Sequence, residues 1–268
     1  MNTNLVVIPT YNEIENIEAI IRRVFSLAEP EIGGPFQLLI VDDGSPDGTG
    51  QVVKDLQAEF PSRLHILERR GKLGLGTAYI DGFKWGMARD YQYFFEMDAD
   101  FSHNPDDLLR LHHACAVGDA ATQTPRADVA VGSRYIKGVN VVNWPMGRVL
   151  MSYFAGVYVR FITGMKVMDP TAGFVCYRRE VLDVLLQNPV KFVGYAFQIE
   201  MKFTCWKYGF RIVEVPIIFT DRTKGTSKMS PKIFNEAVFG VLQMKISSFF
   251  RQYIPKPSVV IEERVSVV

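Results

Sequence analysis

Short apolar runs recur along the first half of this 268-residue chain with helix-period segments between them: Leu5 to Ile8, Leu38 to Val41, Leu64 to Leu67, Tyr93 to Met97 and Val129 to Val131. That alternation predicts an α/β fold, a mostly parallel sheet with helices on both faces. The first helix is expected directly after the first strand. Asn12 would be its N-cap and Glu15 the partner in a capping box, with Ile14, Ile17, Ile21 and Val24 along one face. In open sheets of this kind ligands bind beyond the carboxyl ends of the strands. Three of those ends carry polar clusters, Pro9 to Glu13, Asp42 to Thr49 and Asp98 to His103, so one site is expected to gather all three.

Beyond about residue 135 the pattern shifts to aromatic-rich stretches punctuated by Trp144-Pro145, Asp169-Pro170 and Val215-Pro216. This reads as a second functional half built on the same sheet. Lys and Arg total 30 against 29 Asp and Glu, so no global charge points to nucleic acid and any anion site must be local. Cys115, Cys176 and Cys205 form no C-x-x-C pair, which suggests reduced thiols in a cytoplasmic setting. The start of the chain does not read as a signal peptide. Val149 to Thr163 and Ile233 to Phe250 are greasy, but Arg160, Glu236 and Lys245 interrupt them short of the roughly 20 apolar residues a membrane span requires.

Asp98-Ala99-Asp100 follows a buried strand, and two carboxylates one residue apart suit Mg²⁺ or Mn²⁺ shared with substrate phosphates. Exposed turn aspartates are the bland alternative. Asp43 to Gly48 opens like a calcium loop, but position twelve is Lys54 where a glutamate is needed, so that reading fails. The turn could hold a nucleotide base or ribose, or could simply cap the next helix. Gly71-Lys72-Leu73-Gly74-Leu75-Gly76 reverses the dinucleotide fingerprint and lacks the Walker context, though its amides could approach a phosphate or ribose. Arg134, Arg148, Arg222, Lys224 and Lys228 could clamp phosphate oxygens or be solvated surface charge. No G-x-S-x-G or cysteine nucleophile motif is present, so hydrolase chemistry has no foothold.

Three motifs in order, Val7-Ile8-Pro9-Thr10-Tyr11-Asn12-Glu13, Val41 to Thr49 and Asp98-Ala99-Asp100, resemble the inverting family 2 glycosyltransferases of GT-A fold. More narrowly, Lys72 to Tyr79, Phe101 to Pro105, Gly132-Ser133-Arg134-Tyr135 and Asp221-Arg222 with Gly225, Ser227 and Lys228 look like the dolichol-phosphate (polyprenyl-phosphate) mannosyltransferase branch. The resemblance runs from about residue 4 to about 245. It implies one GT-A domain over 1–245, with a nucleotide-binding half to about 100, an acceptor half over about 101–232 and a tail over 246–268.

By the same likeness, Pro9, Tyr11, Asn12, Glu13, Asp42 or Asp43, and Lys72, Gly74 and Gly76 hold the guanosine part of GDP-mannose. Asp98 and Asp100 place a divalent metal, Mg²⁺ or Mn²⁺, with Ser102 or Gln198 as further candidates. Arg134, Arg148 and Ser152 receive the phosphate of a polyprenyl (dolichyl) lipid, and Asp100, Arg134 and Arg148 carry the catalysis. Arg222 and Lys228 belong to a basic loop over the diphosphate. The implied reaction is metal-dependent transfer of mannose with inversion, giving polyprenyl-phosphate mannose and GDP.

A lipid monophosphate is already anionic, which accounts for the absence of a recognisable general base. The two greasy stretches read either as core helices or as interfacial amphipathic helices. The second reading places the protein on the cytoplasmic face of a membrane, with or without a small anchoring subunit. Two rivals stand beside this: a transferase using UDP-glucose or another sugar nucleotide, and a catalytically silent protein of the same fold. A hydroxyl acceptor would require a base such as Glu200 or Asp169.

Overall fold

A computed structural model describes residues 3–30, 32–118, 125–187, 190–194, 196–222 and 231–254, with the backbone alone over 231–237. Among these residues the strands are β1 (Asn4–Thr10), β2 (Gln37–Asp42), β3 (Leu64–Glu68), β4 (Tyr93–Glu96), β5 (Val129–Ser133), β6 (Val141–Val142), β7 (Val175–Arg178), β8 (Ile212–Pro216) and β9 (Phe219–Thr220). The helices are α1 (Ile17–Phe25), α2 (Thr49–Gln57), α3 (Leu75–Met87), α4 (Asp107–Ala116), α5 (Met146–Thr163), α6 (Arg179–Leu185), α7 (Ala196–Lys207) and α8 (Pro231–Phe249). Each of the five apolar runs is a strand of one seven-stranded sheet, ordered β3-β2-β1-β4-β7-β5-β8. Only β7 runs against its neighbours, β4 on one side and β5 on the other. Strands β6 and β9 form a small parallel pair beside it.

Both faces of the sheet are covered, which is why its central strands read as unbroken apolar runs. Val6, Ile8, Leu38, Ile40 and Phe95 pack under residues of α1, α2 and α4, including Ile20, Val53 and Leu111. On the opposite face Leu5, Val7, Leu39, Val41 and Phe94 meet Tyr79 and Phe83 of α3, with α6 and α7 beyond. A third cluster joins α5, α7 and α8 through Val159, Phe203, Val241 and Met244.

The chain order reverses at β1, which has β2 on one side and β4 on the other. A crevice opens at the carboxyl ends of these strands. Register fixes what lines it: Thr10 stands opposite Asp42, and Val7 opposite Glu96, so the ends of β1, β2 and β4 lie side by side.

Helix α3 reaches the sheet over two glycines. A Cβ on Gly82 would lie 2.5 Å from Val7 Cγ1, and one on Gly86 would lie 2.5 Å from both Leu5 Cδ2 and Phe94 Cε1. Gly86→Ala is therefore expected to lower the urea-unfolding free energy by about 1–3 kcal/mol, overpacking outweighing the gain of about 1 kcal/mol in helix propensity. Unchanged or increased stability would show that α3 can lift off the sheet at little cost.

The first helix departs from its expected start. Asn12 has a positive φ of 56° and the helix begins at Ile17, with Asn16 as its N-cap. The amides of Asn12, Glu13 and Ile14 are taken by Ser45 Oγ, Thr49 Oγ1 and Asp47 Oδ2 at 3.0–3.1 Å. Side chains of the neighbouring turn compete for the groups a helix would use, so the segment runs on as a loop that is stitched to the β2 end.

Candidate active site

At the β1 and β2 ends, buried Asp42 is a turn builder. Its carboxylate accepts Thr10 Oγ1 at 3.0 Å, Ser45 Oγ at 2.6 Å and the Ser45 amide at 3.0 Å. Asp43 is buried too and accepts Arg69 Nε at 2.7 Å. Arg69 reaches on to Thr77 Oγ1 at 2.9 Å and Asp81 Oδ2 at 3.1 Å, tying the end of β3 to the first turns of α3. Neither Arg69 nor Asp81 belongs to a sequence motif; they gain significance only from the approach of three elements distant in sequence. Lys72 Nζ lies 5.2 Å from the centre of the Tyr11 ring, a cation over an aromatic face at the mouth of this end.

The glycines between β3 and α3 serve close packing. Gly74 has φ 103°, and a Cβ on it would come within 3.1 Å of Val193 Cβ. Gly76 donates its amide to Val193 O at 2.9 Å, and a Cβ there would meet the Phe197 ring at 2.8 Å.

Beyond β4, Asp98 and Asp100 stand at the crevice. Asp100 is buried and accepts the Ser102 amide at 3.0 Å, and its other oxygen meets Arg222 Nη2 at 3.1 Å. Asp98 lines the cavity described below with its side chain 38% exposed, and partial desolvation in the cleft together with the Asp100 charge raises its carboxyl above the usual carboxylate range. Ser102 Oγ is buried and has no hydrogen-bond partner among the described residues. His103 is buried with its ring flat against Phe174, and its Nδ1 accepts the Asp98 amide at 3.3 Å. Burial lowers its pKa to about 4, so the ring is neutral.

No group of three or more His, Cys, Asp or Glu able to hold a metal occurs among the described residues. Two carboxylates with an unsatisfied hydroxyl beside them nevertheless fit a hard divalent cation that takes the rest of its oxygens from a bound diphosphate.

Arg134, Arg148 and Arg222 are each held by a carboxylate. Arg134 pairs with Asp169 through Nε and Nη2, both at 2.7 Å, and its own amide reaches the same carboxylate at 3.0 Å. Asp169 is fully buried, and this guanidinium holds its carboxyl below the usual carboxylate range against the cost of burial. Glu214 on β8 in turn accepts the amides of Met168 and Asp169 at 2.7 and 2.9 Å. The Arg134 head is ringed by Tyr135, Trp144 and Phe219 at 5.4–5.7 Å. Arg148 lies 4.1 Å from the Trp144 ring centre and meets both oxygens of Asp221 at 2.9 Å. Ser152 Oγ accepts the Tyr135 hydroxyl at 2.8 Å. Lys228 lies outside the described residues, as does Lys224.

Gln198 belongs to a buried polar group that sequence reading did not reveal. Its Nε2 donates to Glu96 Oε2 at 2.7 Å and its Oε1 accepts from Lys202 Nζ at 3.0 Å, so both ends of the amide are engaged by the protein. Lys202 also donates to Ala172 O at 2.6 Å. Burial pushes Glu96 up to about 7 and Lys202 down to about 8. Glu200 spends one carboxylate oxygen on the amides of Lys191 and Phe192.

A cavity of about 500 Å³ joins the Asp98 turn to the arginines, while Tyr11, Asp42, Asp43, Lys72 and Asp100 are not in its lining. Asp98, Ser102, His103, Arg134, Arg148 and Arg222 line it, and so do Met151, Phe154, Tyr158 and Val159 of α5 with Val238 and Val241 of α8. The two helices meet there through the Tyr158 hydroxyl and Val238 O at 3.0 Å. Their outer faces are apolar and open: Phe154 is 60% exposed, Phe161 84%, Phe239 71% and Phe249 73%. No helix among the described residues is long and apolar enough to cross a membrane.

The chain is 46% identical over 242 residues to a polyprenol monophosphomannose synthase of Mycolicibacterium smegmatis, covering 90% of this chain and 86% of that protein. It is 42% identical over 244 residues to an undecaprenyl-phosphate mannosyltransferase of Micrococcus luteus, covering 91% and 94%. Among solved structures it is similar to glucosyl-3-phosphoglycerate synthase from Mycobacterium tuberculosis, in complex with Mn²⁺, uridine diphosphate and glucosyl-3-phosphoglycerate. That likeness has a TM-score of 0.62 at 18% identity, over 96% of this chain and 82% of the other, and bears on the fold alone. The model of "Glycosyl transferase family 2" matches residues 5–186, and with relatives of this similarity the chain belongs to that family and is a glycosyltransferase of GT-A fold.

Proposed function

We propose that this protein transfers mannose from GDP-mannose to the phosphate of a polyprenyl monophosphate, with inversion at the sugar C1, releasing GDP. The observation that carries the acceptor class is the composition of the cavity wall: Arg134, Arg148, Arg222 and Asp98 stand together with apolar side chains of α5 and α8. A ligand that satisfies both kinds of side chain has an anionic head and a hydrocarbon chain. The names of the relatives in Mycolicibacterium smegmatis and Micrococcus luteus support mannose and a polyprenyl phosphate. The motif likeness to the dolichol-phosphate branch supports GDP.

Asp98 and Asp100 would hold a divalent cation, Mg²⁺ or Mn²⁺, with Ser102 Oγ beside them. When bound, such an ion neutralises charge that builds on the leaving diphosphate. Arg134 and Arg148 orient the acceptor phosphate so that one oxygen faces C1 of the sugar, and Arg222 adds positive charge next to Asp100. No proton need be removed from an acceptor that is already ionised. Lys72, Tyr11 and the turn built on Asp42 and Asp43 receive the nucleoside. The apolar outer faces of α5 and α8 meet the cytoplasmic leaflet, directly or with a small anchoring subunit, and pass the lipid chain into the cavity.

Calorimetric titration in the presence of Mg²⁺ discriminates this reading from its nearest rival. GDP and GDP-mannose are expected to bind at least ten times more tightly than UDP and UDP-glucose. Preference for the uridine ligands would overturn the donor and leave the acceptor class standing.

A further inference from the structure

His103 is buried, and its orientation is set from three sides: Phe174 flat at 4.8 Å and 18°, Phe219 edge-on at 5.3 Å and 80°, and the Asp98 amide 3.3 Å from Nδ1. A ring nitrogen that accepts a backbone N–H carries no proton, so the proton of the ring sits on Nε2. That nitrogen makes no hydrogen bond to a described residue, although the side chain lines the cavity. A ligand oxygen in the cavity can therefore accept from this N–H. The surroundings indicate which kind. Phe219, which edges the His103 ring, also lies 5.6 Å from the Arg134 guanidinium, so His103 stands between the Asp98 turn and the cage of Arg134.

We infer that His103 donates its Nε2–H to an anionic phosphoryl oxygen bound in the cleft between Asp98 and Arg134. This rests on the transferase reading above. It assigns His103 a contact with the reacting groups in addition to its hold on Asp98. The oxygen belongs either to the diphosphate of the sugar donor or to the monophosphate of the lipid acceptor. A directed N–H donor on a ring fixed by Phe174 and Phe219 suits either.

Two substitutions separate the two ring nitrogens. Asn places an acceptor where Nδ1 stood and has nothing at Nε2; Gln places an amide N–H near Nε2 and loses the acceptor. Steady-state transfer is measured with GDP-mannose varied at saturating polyprenyl phosphate, and then the reverse, on variants whose thermal unfolding matches wild type. His103→Asn is expected to lose 10- to 100-fold in kcat/KM, the range for a hydrogen bond to a charged group, and His103→Gln less than 5-fold. Loss in the acceptor arm assigns the monophosphate, and loss in the donor arm the diphosphate. The inference is overturned if Gln loses more than Asn, if both lose equally, or if neither loses. Calorimetric binding of inorganic pyrophosphate and of inorganic phosphate keeps the two claims apart. If wild type transfers no mannose while His103→Asn still weakens anion binding, the function falls and this contact stands.

Discussion

Arg134→Ala is expected to reduce kcat/KM for a polyprenyl phosphate by roughly 10²- to 10³-fold, the range seen when one preorganised donor to a reacting oxyanion is removed. The size follows from how firmly this side chain is held. Two contacts of 2.7 Å to Asp169 fix the guanidinium plane, Glu214 fixes the Asp169 backbone, and three aromatic rings stand 5.4–5.7 Å from the head. Little orientational freedom is left to lose when phosphate binds, so most of the interaction counts toward alignment. The same burial predicts a second effect. Without Arg134, Asp169 is a fully buried carboxylate with its main partner gone, a loss of about 3–5 kcal/mol of stability unless the carboxylate takes up a proton. The double variant Arg134→Ala/Asp169→Asn recovers stability and does not recover turnover. A single variant that keeps wild-type kcat/KM would show that Arg134 is a purely structural ion pair.

Asp100→Asn is expected to lower turnover by roughly 10³-fold, about 4 kcal/mol of transition-state stabilisation. Asp100 combines two tasks that an amide performs poorly. It is one of the two carboxylates suited to a divalent cation, and it is the anion that holds Arg222 at 3.1 Å. The substitution weakens both while preserving shape, so folding is expected to survive and raising Mn²⁺ concentration to restore little. Transfer assayed against Mn²⁺ concentration checks this. An Asn variant with unchanged rate and unchanged metal response would remove the carboxylate pair from the account.

The sheet and the crevice at its strand ends are legible in the amino-acid sequence. The five apolar runs are strands because Val, Ile, Leu and Phe buried on both faces leave a signal that needs no partner to interpret, and the polar clusters after them mark the crevice. The Asp98-Ala99-Asp100 pair and Arg134 are legible for the same reason: they sit within a few residues of a strand end. What escapes such a reading depends on contacts between distant segments. Arg69 bridges Asp43 and Asp81, Glu214 supports Asp169 from another strand, and Gln198 joins Glu96 to Lys202. Apart from the i, i+4 contact between Gln198 and Lys202 within α7, none of these pairings has a spacing that sequence alone could show. Local pattern misplaces the start of α1 for a related reason: Ser45, Asp47 and Thr49 compete from another loop for amides that the pattern assigns to a helix. The greasy stretches cannot be sorted by hydropathy alone, since α5 both packs through Val159 and presents Phe154 and Phe161 outward.

Transfer of labelled mannose from GDP-mannose to a polyprenyl monophosphate in detergent, with Mg²⁺ or Mn²⁺, tests the central claim most directly. The expected product is a metal-dependent, labelled lipid phosphate whose formation Arg134→Ala suppresses. Wild-type protein that binds both substrates and yields no labelled lipid would contradict it.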